Sequence, residues 1–324
     1  MFRKNYMNYN YLGNSDLKVS QFCLGTLMFG LKAGWRNYAI GMEDAIPIIK
    51  LAYDEGINFF DTADIYSQGS SERLLGKVIK KFFKRENLII ATKVGQQMGK
   101  KKGLSKKYLA TAVNASLKRL NTDYIDLYII HRWDYDTPIE ESLYALNEIV
   151  DQGKVRYLGA SSLFAWQFCK ILETNKRLNY KNFISMQNHY NLLYREEERE
   201  MIPLCKEYGI DLTPYSPLAR GFLAGKRNSN RFKNDDIANK YYNSTSDLKI
   251  INSTKKVAKK LGVSMAEVAI AWLQNKNEIK SIILGPSKIE HLSSLIKKDF
   301  LNLHLSELIE LEKNYIPKKI SGHI

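Results

Sequence analysis

Cysteine, long apolar runs and acidic side chains are all in short supply in this 324-residue chain. Its three cysteines, Cys23, Cys169 and Cys205, are odd in number, far apart and without a CxxC pair, which excludes both a disulfide framework and a cysteine zinc site. Reduced, buried thiols are expected, and no metal. No apolar run approaches the ~20 residues needed to span a bilayer, and Met1-Phe2-Arg3-Lys4-Asn5-Tyr6 lacks the apolar stretch of a secretory signal. The expectation is a cytoplasmic protein without membrane attachment. Acidic residues number 34 against 49 Lys and Arg, a net charge of +15. The lysines, however, are scattered in pairs such as Lys80-Lys81, Lys106-Lys107, Lys255-Lys256 and Lys259-Lys260 over predicted helices and loops. No recognised motif gathers them into a nucleic-acid groove, so no nucleic-acid partner is expected. The surplus charge suits attraction of a phosphate-bearing ligand instead. Missing too is a GxGxxG turn after the first strand, the strongest sign of a Rossmann dinucleotide fold.

What remains is an alternation of strand-like and helix-like segments after an opening hairpin, Tyr9 to Ser20 around Gly13-Asn14. Strands are expected at Phe22–Thr26, Ile57–Ala63, Leu88–Val94, Tyr124–His131, Val155–Ser161, Phe183–Asn188, Leu212–Ser216 and Ser281–Gly285. Most are continuous apolar runs, the pattern of strands buried on both faces in a parallel sheet. Helices are expected near Glu43–Glu55, Glu72–Phe82, Lys106–Leu120, Pro138–Asp151, Ala165–Thr174, Glu197–Tyr208, Leu248–Lys260, Met265–Asn275 and Ile289–Lys297. Thr137 and Glu140 around Pro138 predict a capping box with proline at the first helical position. Eight βα units close more readily into a (β/α)8 TIM barrel than they spread as an open sheet, and 1–324 reads as one domain, with 44% hydrophobic residues and no shift in composition. Phe222 to Thr245, after the seventh strand, is too long and polar for an ordinary connection, and loops of that length are usually functional or disordered.

Three successive strands end in titratable groups. Ile57-Asn58-Phe59-Phe60 runs into Asp61 with Tyr66 just beyond, Leu88 to Thr92 runs into Lys93, and Ile125 to Ile130 runs into His131. Strand ends of a parallel barrel share one face, where such folds place their chemistry. Any one of these residues alone is ordinarily a solvated loop group or a cap. Together they are the parts needed to protonate a carbonyl oxygen while hydride reaches its carbon. Tyr66 is the candidate acid, Lys93 the ammonium that favours its phenolate, Asp61 the carboxylate that orients Lys93, and His131 a donor to the carbonyl oxygen.

With these residues go the stretches Gly56-Ile57-Asn58-Phe59-Phe60-Asp61-Thr62-Ala63, Ala91-Thr92-Lys93, Asp123 to Tyr128 ending in His131, Lys154 to Ser162, Gln187-Asn188-His189-Tyr190-Asn191-Leu192 and Tyr215 to Gly221. In order and spacing the chain resembles the aldo-keto reductases over nearly its whole length, and within them the branch of bacterial oxidoreductases and potassium-channel β subunits.

That resemblance implies NADPH bound across the barrel mouth and a small aldehyde or ketone as substrate. It implies that Thr26 and Asp61 lie near the nicotinamide ribose, that Ser161, Ser162 and Gln187 hold the carboxamide, and that Tyr215 stacks on the nicotinamide. Ser216, Pro217, Leu218 and Arg220 would follow the pyrophosphate, with Lys226 and Arg231 closing over it. The turn Gly285-Pro286-Ser287-Lys288 suits a 2′-phosphate near a helix start, and Ser287 is also expected to cap that helix. His291 stands in the adenosine region, where Ser294 and Leu295 replace the Glu-Asn pair common in this branch. Met28, Phe29, Trp35, Trp133 and Phe164 are candidate walls of an aromatic substrate pocket, whereas Lys318 to Ile324 offers no evident lid. Gly221 to Lys226 imitates a phosphate-binding P-loop only superficially, because Arg227 stands where Ser or Thr is required. The same branch suggests a second role, a nucleotide-binding regulatory or scaffold subunit, against which His131 argues since the channel subunits have asparagine there. Nothing in the sequence specifies an oligomer.

Overall fold

The computed structural model describes residues 7–31, 39–99, 101–225, 241–296, 301–320 and 322–323. Two short strands, β1 (Tyr9–Tyr11) and β2 (Lys18–Ser20), form the antiparallel hairpin. Eight parallel strands follow: β3 (Phe22–Gly25), β4 (Phe59–Asp61), β5 (Ile89–Val94), β6 (Ile125–Ile130), β7 (Val155–Ser161), β8 (Phe183–Gln187), β9 (Asp211–Leu212) and β10 (Ile282–Leu284). Their spatial order is β10-β3-β4-β5-β6-β7-β8-β9. The two ends meet: Leu212 N–H donates to Glu278 O at 2.8 Å, and Ile283 N–H donates to Pro214 O at 3.0 Å. The ring is therefore the expected (β/α)8 barrel.

Around it run α1 (Met42–Asp54), α2 (Ser70–Phe82), α3 (Lys106–Leu120), α4 (Ile139–Asp151), α5 (Ala165–Leu178), α6 (Met201–Glu207), α7 (Thr245–Leu261), α8 (Met265–Gln274), α9 (Ile289–Ser293) and α10 (Leu305–Glu312). The staves separate two apolar layers, as residues pointing alternately to the two faces of a strand must. Phe22, Leu24, Phe60, Ile90, Ile130 and Leu158 belong to the outer layer beneath the helices. Cys23, Phe59, Ala91, Leu127, Ile129 and Ile283 fill the inside with Leu12, Leu17 and Val19 from the hairpin, which plugs one end. Gly13 makes this plug possible: at φ +55°, a Cβ there would stand 2.4 Å from Ile184 O, and its N–H donates to Asp211 Oδ2 at 2.7 Å.

Several local expectations give way to packing. β4 shrinks to three residues because Asn58 turns its side chain to the hairpin, accepting from Ser20 N–H at 2.8 Å and donating to Lys18 O at 2.9 Å. β9 stops at Leu212 because Pro214, two residues on, has no N–H for the ladder. The capping box at α4 does not form: Pro138 itself is the N-cap without a side-chain bond, and the Thr137 hydroxyl serves Asp134. Cys23 and Cys205 are buried free thiols, but Cys169 is only half-buried. No described helix is long and apolar enough to cross a membrane.

Candidate active site

Lys93 is the hub. It leaves β5 beside Val94, its side chain is wholly shut off from solvent, and its ammonium meets three acceptors. Nζ donates to Asp61 Oδ2 at 2.6 Å, to Thr62 O at 2.7 Å and to Tyr66 OH at 3.2 Å. Three donors and three acceptors leave no proton of the ammonium unspent. Burial works against its charge, but Asp61 and Tyr66 outweigh that and hold Lys93 above the usual lysine range. Asp61 ends β4 and spends its other oxygen on Gln187, whose Nε2 donates to Oδ1 at 2.9 Å. His131, which follows β6 and whose N–H donates to Val94 O, sets its ring edge-on to Tyr66 with centroids 5.9 Å apart. The four groups foreseen at the ends of three strands thus stand within one cluster.

A second cluster adjoins it. Ser161 ends β7 opposite Gln187, and Ser162, at φ +50°, turns its hydroxyl to Tyr215 OH at 3.1 Å. The Tyr215 ring stacks on His189 (5.5 Å, 12°), which stacks in turn on Tyr194 (4.3 Å, 7°) and is hydrogen-bonded to Tyr242. Burial first, then Lys318, His323, Arg220 and Arg132, pull the His189 imidazole down to about 3, so this platform is uncharged at working pH. Beyond Tyr215 the chain turns sharply, with Ser216, Ala219, Arg220 and Gly221 all at positive φ, and Asn191 Nδ2 pins the turn by donating to Ser216 O at 2.9 Å. Pro217 is buried in this turn and Leu218 half-buried. Thr26 anchors the opposite rim, its N–H on Asp61 O at 2.8 Å and its hydroxyl on Ser71 at 2.8 Å.

At the eighth turn Gly285 and Lys288 are exposed and Ser287 half-buried. Ser287 does not cap α9; Lys288 occupies the cap position without a side-chain bond, and the Ser287 hydroxyl lies 3.4 Å from His291 Nδ1. Of the proposed pocket walls, Met28 and Phe29 are buried in the outer layer, Trp133 is half-buried against Trp166 and Tyr135, and Phe164 is half-buried at the N-cap of α5. Trp35, Lys226 and Arg231 lie outside the described residues.

The tail contributes more than its sequence suggests. Lys318 N–H donates to Glu196 Oε1 at 2.6 Å and its Nζ to Tyr241 O at 2.9 Å, which lays the segment beside the mouth. There the buried His323 packs its ring 5.0 Å from Phe164, with Nε2 3.7 Å from Glu197 Oε1. Burial and then Glu196 push the Glu197 carboxyl up to about 8. A polar, aperiodic stretch of Lys, Ser, Gly and His carries no pattern from which this seat could be read. Among the described residues no cluster of His, Cys, Asp and Glu is placed to hold a metal ion.

The arrangement of acid, ammonium and carboxylate beside a stacked tyrosine suits a nicotinamide nucleotide. The left-handed turn after Tyr215 adds main-chain N–H groups of the kind that cradle phosphate. Comparison with known sequences agrees in kind. The profile of the aldo/keto reductase family matches residues 21–313. A putative aryl-alcohol dehydrogenase of Schizosaccharomyces pombe is 39% identical over 346 aligned positions, covering 98% of both chains. Versiconal hemiacetal acetate reductase of Aspergillus parasiticus is 40% identical over 342, covering 97% of this chain and 98% of that one. A putative aryl-alcohol dehydrogenase of Saccharomyces cerevisiae is 38% identical over 337 positions, covering 95% of this chain and 97% of its own. The chain belongs to the aldo/keto reductase family of oxidoreductases.

Proposed function

We propose that this protein reduces small aldehydes or ketones with NADPH, and that Tyr66 delivers the proton. The observation that carries the reading is the buried ammonium of Lys93 shared between Asp61 and Tyr66. Bound NADPH would supply hydride to the carbonyl carbon. The chain supplies the rest. As charge gathers on the carbonyl oxygen, Tyr66 gives up its proton, and the Lys93 ammonium on the phenol oxygen stabilises the phenolate left behind. Asp61 keeps that ammonium charged and fixed in place, so little reorganises at the moment of transfer. His131, edge-on to Tyr66, would share the carbonyl oxygen. Ser161, Ser162, Gln187 and Tyr215 would hold the nicotinamide end, and Ser216 to Arg220 the pyrophosphate. The turn with Ser287 and Lys288 would meet the 2′-phosphate. Because Lys288 is exposed, solvent weakens its pairing with phosphate, and the preference for NADPH over NADH should be about tenfold. The half-buried aromatic rings of Phe164 and Trp133 favour an apolar or aromatic carbonyl.

The test is NADPH oxidation with a panel of aliphatic and aromatic aldehydes, together with titration of NADPH and NADH. Turnover with NADPH and weaker binding of NADH support the reading. Tight NADPH binding with no turnover on any carbonyl would overturn it in favour of a nucleotide-sensing subunit.

A further inference from the structure

Three residues beyond Asp61 lies a buried carboxyl that the reaction above does not use. Asp64 is 1% exposed, and beyond the amide of the next residue, Ile65, no group among the described residues reaches its oxygens with a hydrogen bond. Its N–H donates to Lys93 O at 3.2 Å, and the charges that act on its carboxyl are Glu72 on α2, Arg119 on α3 and Lys93, which sets it behind the catalytic cluster on the side of the helices.

Its neighbours decide its state. Glu72 on α2 is fully buried and takes the Arg119 guanidinium, the one that acts on Asp64 among the described residues: Arg119 Nε on α3 donates to Glu72 Oε2 at 2.5 Å, and Thr92 donates to Glu72 Oε1 at 2.7 Å. Among the described residues, Tyr108 on α3 and Tyr128 on β6 are the remaining titratable groups facing Asp64, both phenols held above the usual range by burial and then by Asp64 itself. Lys93 faces it from β5 but spends its ammonium elsewhere. Two carboxyls therefore share a dry space with one committed guanidinium, and charging both is disfavoured by burial and by mutual repulsion. In keeping with this count, burial and then Glu72 push the Asp64 carboxyl up to about 7, against the pull of the Ile65 amide, Arg119 and Lys93.

Resting on the reductase reading above, we propose that Asp64 is a positioning residue that works as a neutral acid: uncharged, it leaves the Lys93 field to Asp61 and Tyr66, and ionised, it slows proton donation from Tyr66. The sign follows from electrostatics. A negative charge behind Lys93 offsets the ammonium that stabilises the Tyr66 phenolate, so the proton leaves less readily. Across protein of effective dielectric near 20, a charge about 10 Å away changes a rate by roughly threefold to twentyfold.

The test is the pH profile of carbonyl reduction between pH 5.5 and 9 in the wild type, Asp64→Asn and Glu72→Gln. Wild-type turnover should fall several-fold as pH rises through neutrality. Asp64→Asn should lose that limb, and Glu72→Gln, which relieves the repulsion and releases Arg119, should move it to lower pH. A limb that persists unchanged in Asp64→Asn overturns the proposal, as does one that stays in place in Glu72→Gln. A thermal melt over the same pH range supplies a readout independent of turnover, since the wild type should lose stability relative to Asp64→Asn as pH rises toward 7. Were the wild type to show no carbonyl turnover at all, the reductase reading and the rate effect would fall together. The melts would then still decide whether Asp64 is the neutral acid, and parallel melting curves would overturn that too.

Discussion

Asp61, the last residue of β4, and Asp64, three residues on, are both almost wholly withdrawn from water, and the fold provides for them in opposite ways. Asp61 points into the mouth and receives a buried ammonium at 2.6 Å and an amide at 2.9 Å. Asp64 points away from it toward α2 and α3, where the Arg119 guanidinium is already held by Glu72. The alternation of a chain leaving a strand is enough to send the two carboxyls to different layers. An active carboxylate here requires a matched partner: burial beside a second carboxyl favours the neutral acid, whereas burial with a matched ammonium makes it a charged, oriented partner for a phenol.

Breaking the Asp61 side should have the largest effect. Lys93→Met removes the ammonium and leaves Asp61 buried without its counter-ion, at a cost of about 3–5 kcal/mol in folding stability, besides loss of catalysis. Thermal melts beside turnover assays would show both, and a variant of unchanged stability would mean that Asp61 finds another partner. Asp64→Asn should do the reverse. The wild-type Asp64 carboxyl is raised from 3.8 to about 7, so the folded protein binds the extra proton and loses stability as pH rises between those values, with the loss complete above 7. The asparagine variant escapes that loss and should be more stable than the wild type above neutrality by roughly 2–4 kcal/mol, and equal to it near pH 4. Melting temperatures at pH 4.5 and 8 check the sign. Smallest is Lys288→Ala, expected to shrink an NADPH preference of about tenfold mainly by weakening NADPH, as paired titrations with NADH would report.

How far these two carboxyls could be told apart from the sequence depended on pattern. Asp61, Lys93 and His131 each end a continuous apolar run, and parallel strands align such ends, so their meeting was legible without coordinates. So was the barrel, from eight buried runs separated by helices. Asp64 was not: one tetrapeptide, Asp61-Thr62-Ala63-Asp64, holds both acids, and what separates their fates is whether Arg119, 55 positions along the chain from Asp64, is already engaged. The same holds for His323, whose seat against Phe164 depends on Lys318 and Glu196 anchoring a tail that has no periodicity. Caps failed for a local reason of the same kind, since Thr137 found Asp134 before it could serve α4.

In the proposed reaction Tyr66 delivers its own hydroxyl proton while Lys93 donates to its oxygen, and the single-turnover rate of NADPH oxidation by a saturating aldehyde reads that step. At pH 6.5, with Asp64 still largely neutral, Tyr66→Phe should react about 10²–10⁴-fold more slowly than the wild type while binding NADPH as tightly. Equal rates in the two proteins would exclude Tyr66 as the proton donor.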